Sequence, residues 1–183
     1  MIPFPNIGPE IFSLYIFGYE LSLRWYSVSY IMGFIFALLI MKYFIRRESL
    51  WRYSCPPLDY DQAENFLTYL IMGVIFGGRL GYVVFYNPSY YLNSPLEILQ
   101  IWDGGMSFLG GFLGVVLSVI LFCKRNGILL LSCADLIALS TPPGLFFGRI
   151  ANFINAELWG RATDLPWGVV FPGQLAQNCP DVV

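Results

Sequence analysis

Residues 66–86 read FLTYLIMGVIFGGRLGYVVFY, an apolar run that contains a single charge, Arg79. A helix rises about 1.5 Å per residue, so a run of about 20 residues reaches roughly 30 Å, the thickness of a bilayer's hydrocarbon core. The run predicts a membrane-spanning helix. Gly73, Gly77 and Gly81 recur every four residues along one face, the small-xxx-small pattern that lets two helix backbones approach closely. Arg79 lies in the same span. A charge near the bilayer centre costs about 2.5–3.5 kcal/mol on insertion scales, so Arg79 should face protein or a water-filled cavity. Two readings stay open for it: a buried ion pair with Asp135 or Glu157, or a ligand-binding cation.

Outward from this run, three more apolar stretches predict spans at residues 25–45, 106–123 and 128–147. The polar members of the first, chiefly Tyr26, Ser27, Ser29 and Tyr30, can bond to the preceding turn or face neighbouring helices. Lys42, Arg46, Arg47 and Arg52 close the first span, and Lys124 and Arg125 close the third. Six of the ten Lys and Arg residues thus mark two ends, and such clusters mark the cytoplasmic side. The stretch at 48–64, with Pro56 and Pro57, reads as a loop. Residues 87–94 and the following Glu97 and Asp103 carry no cation and belong to the opposite side. The fourth span contains Asp135 and is expected to break at Pro142 and Pro143. It then delivers residues 148–183 to the outer face as an interfacial segment. The fold class expected is all-α, a polytopic integral membrane protein of about four transmembrane helices, with residues 1–183 as one membrane domain.

Composition agrees. Of 183 residues, 57% are hydrophobic and 12% charged, about half the charged share of soluble domains. Mean hydropathy is +0.62. A net charge of -2 excludes a strongly basic nucleic-acid surface. Cys55, Cys123, Cys133 and Cys179 form no C-x-x-C pair and read as small hydrophobes. With no histidine in the chain, the zinc ligand sets that use histidine cannot be completed, and zinc is not expected. The first 23 residues hold no Lys or Arg, unlike a cleavable signal peptide. IFSLYIFGYEL within them is too short to span and is expected to reach only the membrane interface.

The polar chemistry gathers at residues 148–161, GRIANFINAELWGR. Arg149, where the last apolar run ends, puts a fixed cation near the lipid–water boundary. Its guanidinium can hold a phosphate oxygen pair through two parallel hydrogen bonds. Continued as helix, the stretch groups Arg149, Asn152, Asn155 and Trp159 within roughly a third of the circumference and turns Glu157 away. The alternative reading is an interface anchor, for which Arg and Trp are common.

The stretch closely resembles the signature of the prolipoprotein diacylglyceryl transferases, G-R-x-(G or A)-N-F-(apolar)-N-x-E-x-x-G. It is matched by Gly148, Arg149, Ala151, Asn152, Phe153, Ile154, Asn155, Glu157 and Gly160. RWYS from Arg24, GGRLGY from Gly77, WDGGMSF from Trp102 and VFPG from Val170 look like further landmarks in family order. The resemblance implies transfer of a diacylglyceryl group from phosphatidylglycerol to the lipobox cysteine of a prolipoprotein in the bacterial inner membrane, with glycerol phosphate leaving. It implies no metal or other cofactor. It further implies that Arg149 binds the lipid phosphate and Asn152 completes the headgroup pocket. Glu157 and Arg79 would order that pocket, Tyr26 would line it, and Gly104 and Gly105 would permit close backbone approach.

Two departures bear on activity. The family pattern continues W-x-G-G-M-S-F-H-G-G, and Leu109 stands where that histidine, a candidate general base, is expected. The H-P-S-Q-L-Y-E-like stretch and later spans of the family do not follow either. Thiol deprotonation would then fall to water, Asp103 or Glu157, and low or no activity is expected from this chain alone. Two other functions stand beside the transferase: a phosphatidylglycerol-binding relic or scaffold, and a transporter fragment with Arg79 and Asp135 along its pathway.

Overall fold

The computed structural model describes residues 1–16, 19–51, 55–101 and 104–173. Arg52, Trp102, Asp103 and Cys179 lie outside the described residues. The helices are α1 (Trp25–Ile45), α2 (Gln62–Phe85), a short α3 (Pro88–Asn93), α4 (Phe108–Asn126) and α5 (Leu130–Ile154). α1, α2, α4 and α5 are each long and apolar enough to cross a membrane. The protein is a mostly helical, polytopic membrane protein. Its strands are short and peripheral: β1 (Ile2–Pro3), β2 (Glu10–Ile16), β3 (Tyr19–Arg24) and β4 (Val169–Val170). The chain falls into two compact units, Ala37–Ser140 and the combination of Met1–Phe36 with Thr141–Val183.

In the unit Ala37–Ser140 the predicted glycine ladder meets a second one. A Cβ on Gly81 would come within 2.6 Å of the Gly110 Cα, and one on Gly77 within 2.7 Å of the Gly114 Cα. The backbones of α2 and α4 therefore touch, which only glycine on both sides permits. α4 begins at Ser107, whose hydroxyl accepts from the Gly110 amide at 3.2 Å, and ends at Gly127 with φ of 66°. These are ordinary start and stop signals for a helix. At the cationic end of the unit, Met41, Phe66, Leu70, Phe122, Cys123, Cys133 and Leu136 form a buried cluster. The Phe66 and Phe122 rings pack with centroids 4.9 Å apart. Cys123 and Cys133 are here as small apolar residues, both free thiols.

In the other unit α1 and α5 approach where a Cβ on Gly33 would lie 3.2 Å from the Gly144 Cα. Phe36 and Phe147 pack beside them, centroids 5.2 Å apart. α5 runs through Pro142 and Pro143 without ending, contrary to the expected break. Two lost amide donors leave the Ala138 and Leu139 carbonyls without their usual partners, and in a span long enough to anchor on both sides this does not unwind the helix.

The N-terminal stretch forms a strand pair. β2 and β3 form an antiparallel pair with Leu14 opposite Leu21, and pairing satisfies backbone groups that lipid cannot. Arg24 and Glu10 face each other across it at 3.6 Å. β1 pairs in parallel with β4, Ile2 opposite Val169. That pairing brings Phe4, Phe153 and Phe171 together with centroids 5.3 to 5.6 Å apart.

Candidate functional site

Tyr26 stands in the first turn of α1, about two turns before Gly33, and Asn152 lies about two turns after Gly144 on α5. The close glycine approach between these helices lets the two side chains meet. The Asn152 amide Nδ2 donates to the Tyr26 hydroxyl oxygen. The same hydroxyl donates to Glu157 Oε2 at 2.7 Å. One oxygen thus joins two segments 126 and 131 residues apart in sequence.

Glu157 joins because α5 stops at Ile154. The Asn155 amide bonds to the Ala151 carbonyl and the Ala156 amide to the Phe153 carbonyl, closing the last turn. Ala156 and Leu158 then take positive φ values of 54° and 52°. This reversal swings Glu157 back to the face that carries Asn152, where a continued helix would have turned it away. Asn155 stays at the same place: its side chain reaches toward the Tyr26 hydroxyl. Its Oδ1 is buried with no hydrogen-bond partner among the described residues. An unpaired buried acceptor costs about 1–3 kcal/mol.

Arg149 precedes Asn152 by three residues on α5, so the two share a helix face. It is exposed and makes no hydrogen bond or ion pair among the described residues. Trp159 packs on Phe171 at 6.4 Å, extending the aromatic group of Phe4 and Phe153.

The second polar centre lies in the unit Ala37–Ser140. Arg79 is 5% exposed, and among the described residues no carboxylate pairs with it. Its Nε donates to the Ile98 carbonyl at 2.9 Å and its Nη2 to the Glu97 carbonyl at 2.7 Å. Nη1 donates to the Gly104 and Gly105 carbonyls at 2.5 and 3.2 Å. The Tyr91 ring lies 5.3 Å from the guanidinium carbon. The ion pair with Asp135 or Glu157, one of the two readings open for Arg79, is not formed among the described residues, and backbone carbonyls take its place. Arg79 staples the segment between α3 and α4 to α2, and its fork fits this task because its donors diverge in a plane. Gly104 and Gly105 adopt φ of 82° and 80°, and a Cβ on Gly105 would strike the Tyr82 ring at 2.5 Å. Gly105 thus needs to be small where it meets Tyr82, whereas a Cβ on Gly104 would meet nothing within 4 Å and only its positive φ favours glycine. Leu109 lies on the first turn of α4 and is 54% exposed.

The structure therefore gathers Tyr26, Asn152 and Glu157 at one centre, with Arg149 on the adjoining turn, and Arg79, Gly104 and Gly105 at another. Helical spacing groups Asn155 with Arg149 and Asn152, and the structure keeps it beside Asn152. Tyr91 was not singled out from sequence, and no pattern pointed to it. Among the described residues no three His, Cys, Asp or Glu side chains converge to hold a metal.

Residues 12–181 match the family model described as prolipoprotein diacylglyceryl transferase. A phosphatidylglycerol–prolipoprotein diacylglyceryl transferase of Cereibacter sphaeroides is 56% identical over 181 residues, covering 99% of this chain and 89% of that protein. The enzyme of that name from Roseobacter denitrificans is 55% identical over 181 residues, covering 99% of this chain and 62% of its own length. The one from Ruegeria pomeroyi is 52% identical over 183 residues, with 62% of its length covered. Against these last two the chain spans less than two thirds of the relative.

Proposed function

The chain belongs to the prolipoprotein diacylglyceryl transferase family, and from that membership we propose that it serves transfer of the diacylglyceryl group from phosphatidylglycerol to the lipobox cysteine thiol of prolipoproteins. The reaction would take place at the extracytoplasmic face of the bacterial inner membrane. The observation that carries this reading is the bridge from Asn152 through Tyr26 to Glu157, one helical turn from the exposed Arg149.

In the reaction so read, Arg149 holds the phosphodiester through paired charged hydrogen bonds. Asn155 Oδ1 offers an open acceptor to a headgroup hydroxyl. Glu157, its Oε2 engaged by Tyr26, has Oε1 free to take the thiol proton. The sulfur forms a bond to the terminal glyceryl carbon as the carbon–oxygen bond to phosphate breaks. The electron pair leaves with glycerol phosphate, and its charge develops against Arg149. Such stabilisation of developing charge is usually the largest catalytic contribution. Arg79, Gly104 and Gly105 serve by fixing the segment between α3 and α4.

A second reading is binding of phosphatidylglycerol without turnover, and Leu109 favours it. General acid–base catalysis contributes typically about 10²–10⁴-fold, so a leucine at the family's histidine position removes a large factor.

The test is transfer of labelled diacylglyceryl from phosphatidylglycerol to a lipobox peptide, with the chain and its Leu109→His variant in matched membranes. Thioether product from both supports the transferase reading, with more product from the histidine variant. Arg149→Ala should lower phosphatidylglycerol retention while leaving the protein in the membrane. Retention unchanged in that variant sinks the headgroup site.

A further inference from the structure

The end of α1 away from Tyr26 carries a feature that the transfer reaction does not use. Leu39, Lys42, Tyr43, Arg46, Arg47 and Tyr60 line a cavity of about 310 Å³. Each cation in it is set over an aromatic ring. Lys42 Nζ lies 4.4 Å and the Arg46 guanidinium 4.6 Å from the Tyr60 ring centroid. The Arg47 guanidinium lies 4.6 Å from that of Tyr43.

Glu64 engages Lys42 at 2.5 Å, and Asp61 also bears on it electrostatically. The two guanidiniums are different: both are exposed, and neither makes a hydrogen bond or ion pair among the described residues. A bias of cations to one membrane side explains why these charges are here. It does not explain two planar guanidiniums laid on rings around one cavity. That placement holds the forks at low entropic cost and leaves their N–H edges free for paired bonds to an anion.

The cavity also has an apolar side. Leu39 and Tyr43 follow each other by one turn of α1 and are 56% and 51% exposed. A ligand here meets charge toward the chain's connection to α2 and hydrocarbon toward the span. We propose that this cavity binds the phosphodiester headgroup of an anionic phospholipid, with an acyl chain along Leu39. A helix of about 20 residues is roughly as long as the hydrocarbon core is thick. The lipid held here therefore sits in the leaflet opposite the one that Tyr26 meets, and it is a structural lipid distinct from the one at Arg149. Basic cavities at the ends of membrane helices are suited to such headgroups.

The experiment is native mass spectrometry of the full chain in neutral detergent, on an Arg149→Gln background so that the other cationic site is silent. The probe is phosphatidylmethanol, whose headgroup is a bare phosphodiester, with phosphatidylcholine and inorganic phosphate as the two comparisons. One phosphatidylmethanol should bind, and phosphatidylcholine should bind at least about tenfold more weakly. Arg46→Lys with Arg47→Lys keeps the charge but loses the forks, and should weaken binding about tenfold. Tyr60→Leu should weaken it similarly, with unchanged thermal unfolding of the doubly substituted lysine variant guarding against misfolding. Equal affinity in the lysine variant would mean a diffuse positive surface and would overturn the proposal. Competition by inorganic phosphate at the lipid's own concentration would overturn the lipid assignment in favour of a free phosphate site.

Discussion

The Tyr26 oxygen accepts from Asn152 and donates to Glu157, so a single atom sets the orientation of both. Tyr26→Phe removes both bonds while keeping the ring. Glu157 is exposed and finds water instead, so the stability cost should stay near one net hydrogen bond, about 1 kcal/mol. Thermal unfolding in detergent would read it. Phosphatidylglycerol retention should fall further than stability does, because Asn152 and Glu157 lose their fixed positions; a parallel fall in both would mean that the bridge is only structural. Arg79 calls for the opposite expectation. Arg79→Lys keeps the charge, but a point ammonium cannot reach the carbonyls of Glu97, Ile98, Gly104 and Gly105 together. These carbonyls are only partly buried, so each lost bond should cost near one net hydrogen bond, about 1 kcal/mol. Hydrogen exchange in residues 94–107 should accelerate, with lipid retention altered less than by Arg149→Ala. Exchange left unchanged, with retention lost, would make Arg79 a ligand-binding cation.

Among the elements, the pair α2 and α4 is the most legible in sequence and the most sensitive to substitution. Gly73, Gly77 and Gly81 announced a close helix contact, and their facing residues are Gly110 and Gly114. Gly81→Ala must push the helices apart or strain them, since its Cβ would lie 2.6 Å from the Gly110 Cα. Overpacking of this kind costs about 1–3 kcal/mol. Chemical unfolding followed by circular dichroism should show the loss, and Gly144→Ala, whose Cβ meets nothing within 4 Å, should show far less. The element ends were read less well, for physical reasons. Apolar composition marks where a helix lies in lipid, and hydrogen bonding continues beyond it: α2 begins at Gln62 and α5 runs on to Ile154. β3 does alternate, with Glu20, Ser22 and Arg24 polar between Leu21 and Leu23, but β2 does not, and one short alternating run inside an apolar stretch did not separate a strand pair from a single segment. Glu157 was misplaced because the reversal after Ile154 uses Ala156 and Leu158, where no glycine advertised a left-handed stop.

For the whole molecule, the distribution of charge should decide how the chain lies in the membrane. Lys42, Arg46, Arg47, Lys124 and Arg125 sit at the ends of α1 and α4, whereas the described residues of the α2–α3–α4 connection carry no Lys or Arg. Cation-rich ends stay on the cytoplasmic side, which would put Arg149 and Glu157 outside. The chain supplies its own probe, since Cys55 is exposed between α1 and α2 while Cys123 and Cys133 are buried. In a Cys179→Ser background, a membrane-impermeant maleimide should leave intact spheroplasts unlabelled and label Cys55 only after permeabilisation. Adding Thr163→Cys, an exposed position after the site segment, should restore labelling without permeabilisation. The inverse pattern would place Arg149 in the cytoplasm, where an exported lipobox cysteine cannot reach it, and the transfer reading would fall with the topology. Labelling at both positions in intact spheroplasts would break the alternation of the spans between them. Agreement would leave Tyr26 and the Arg46–Arg47 pair, at the two ends of α1, facing opposite leaflets.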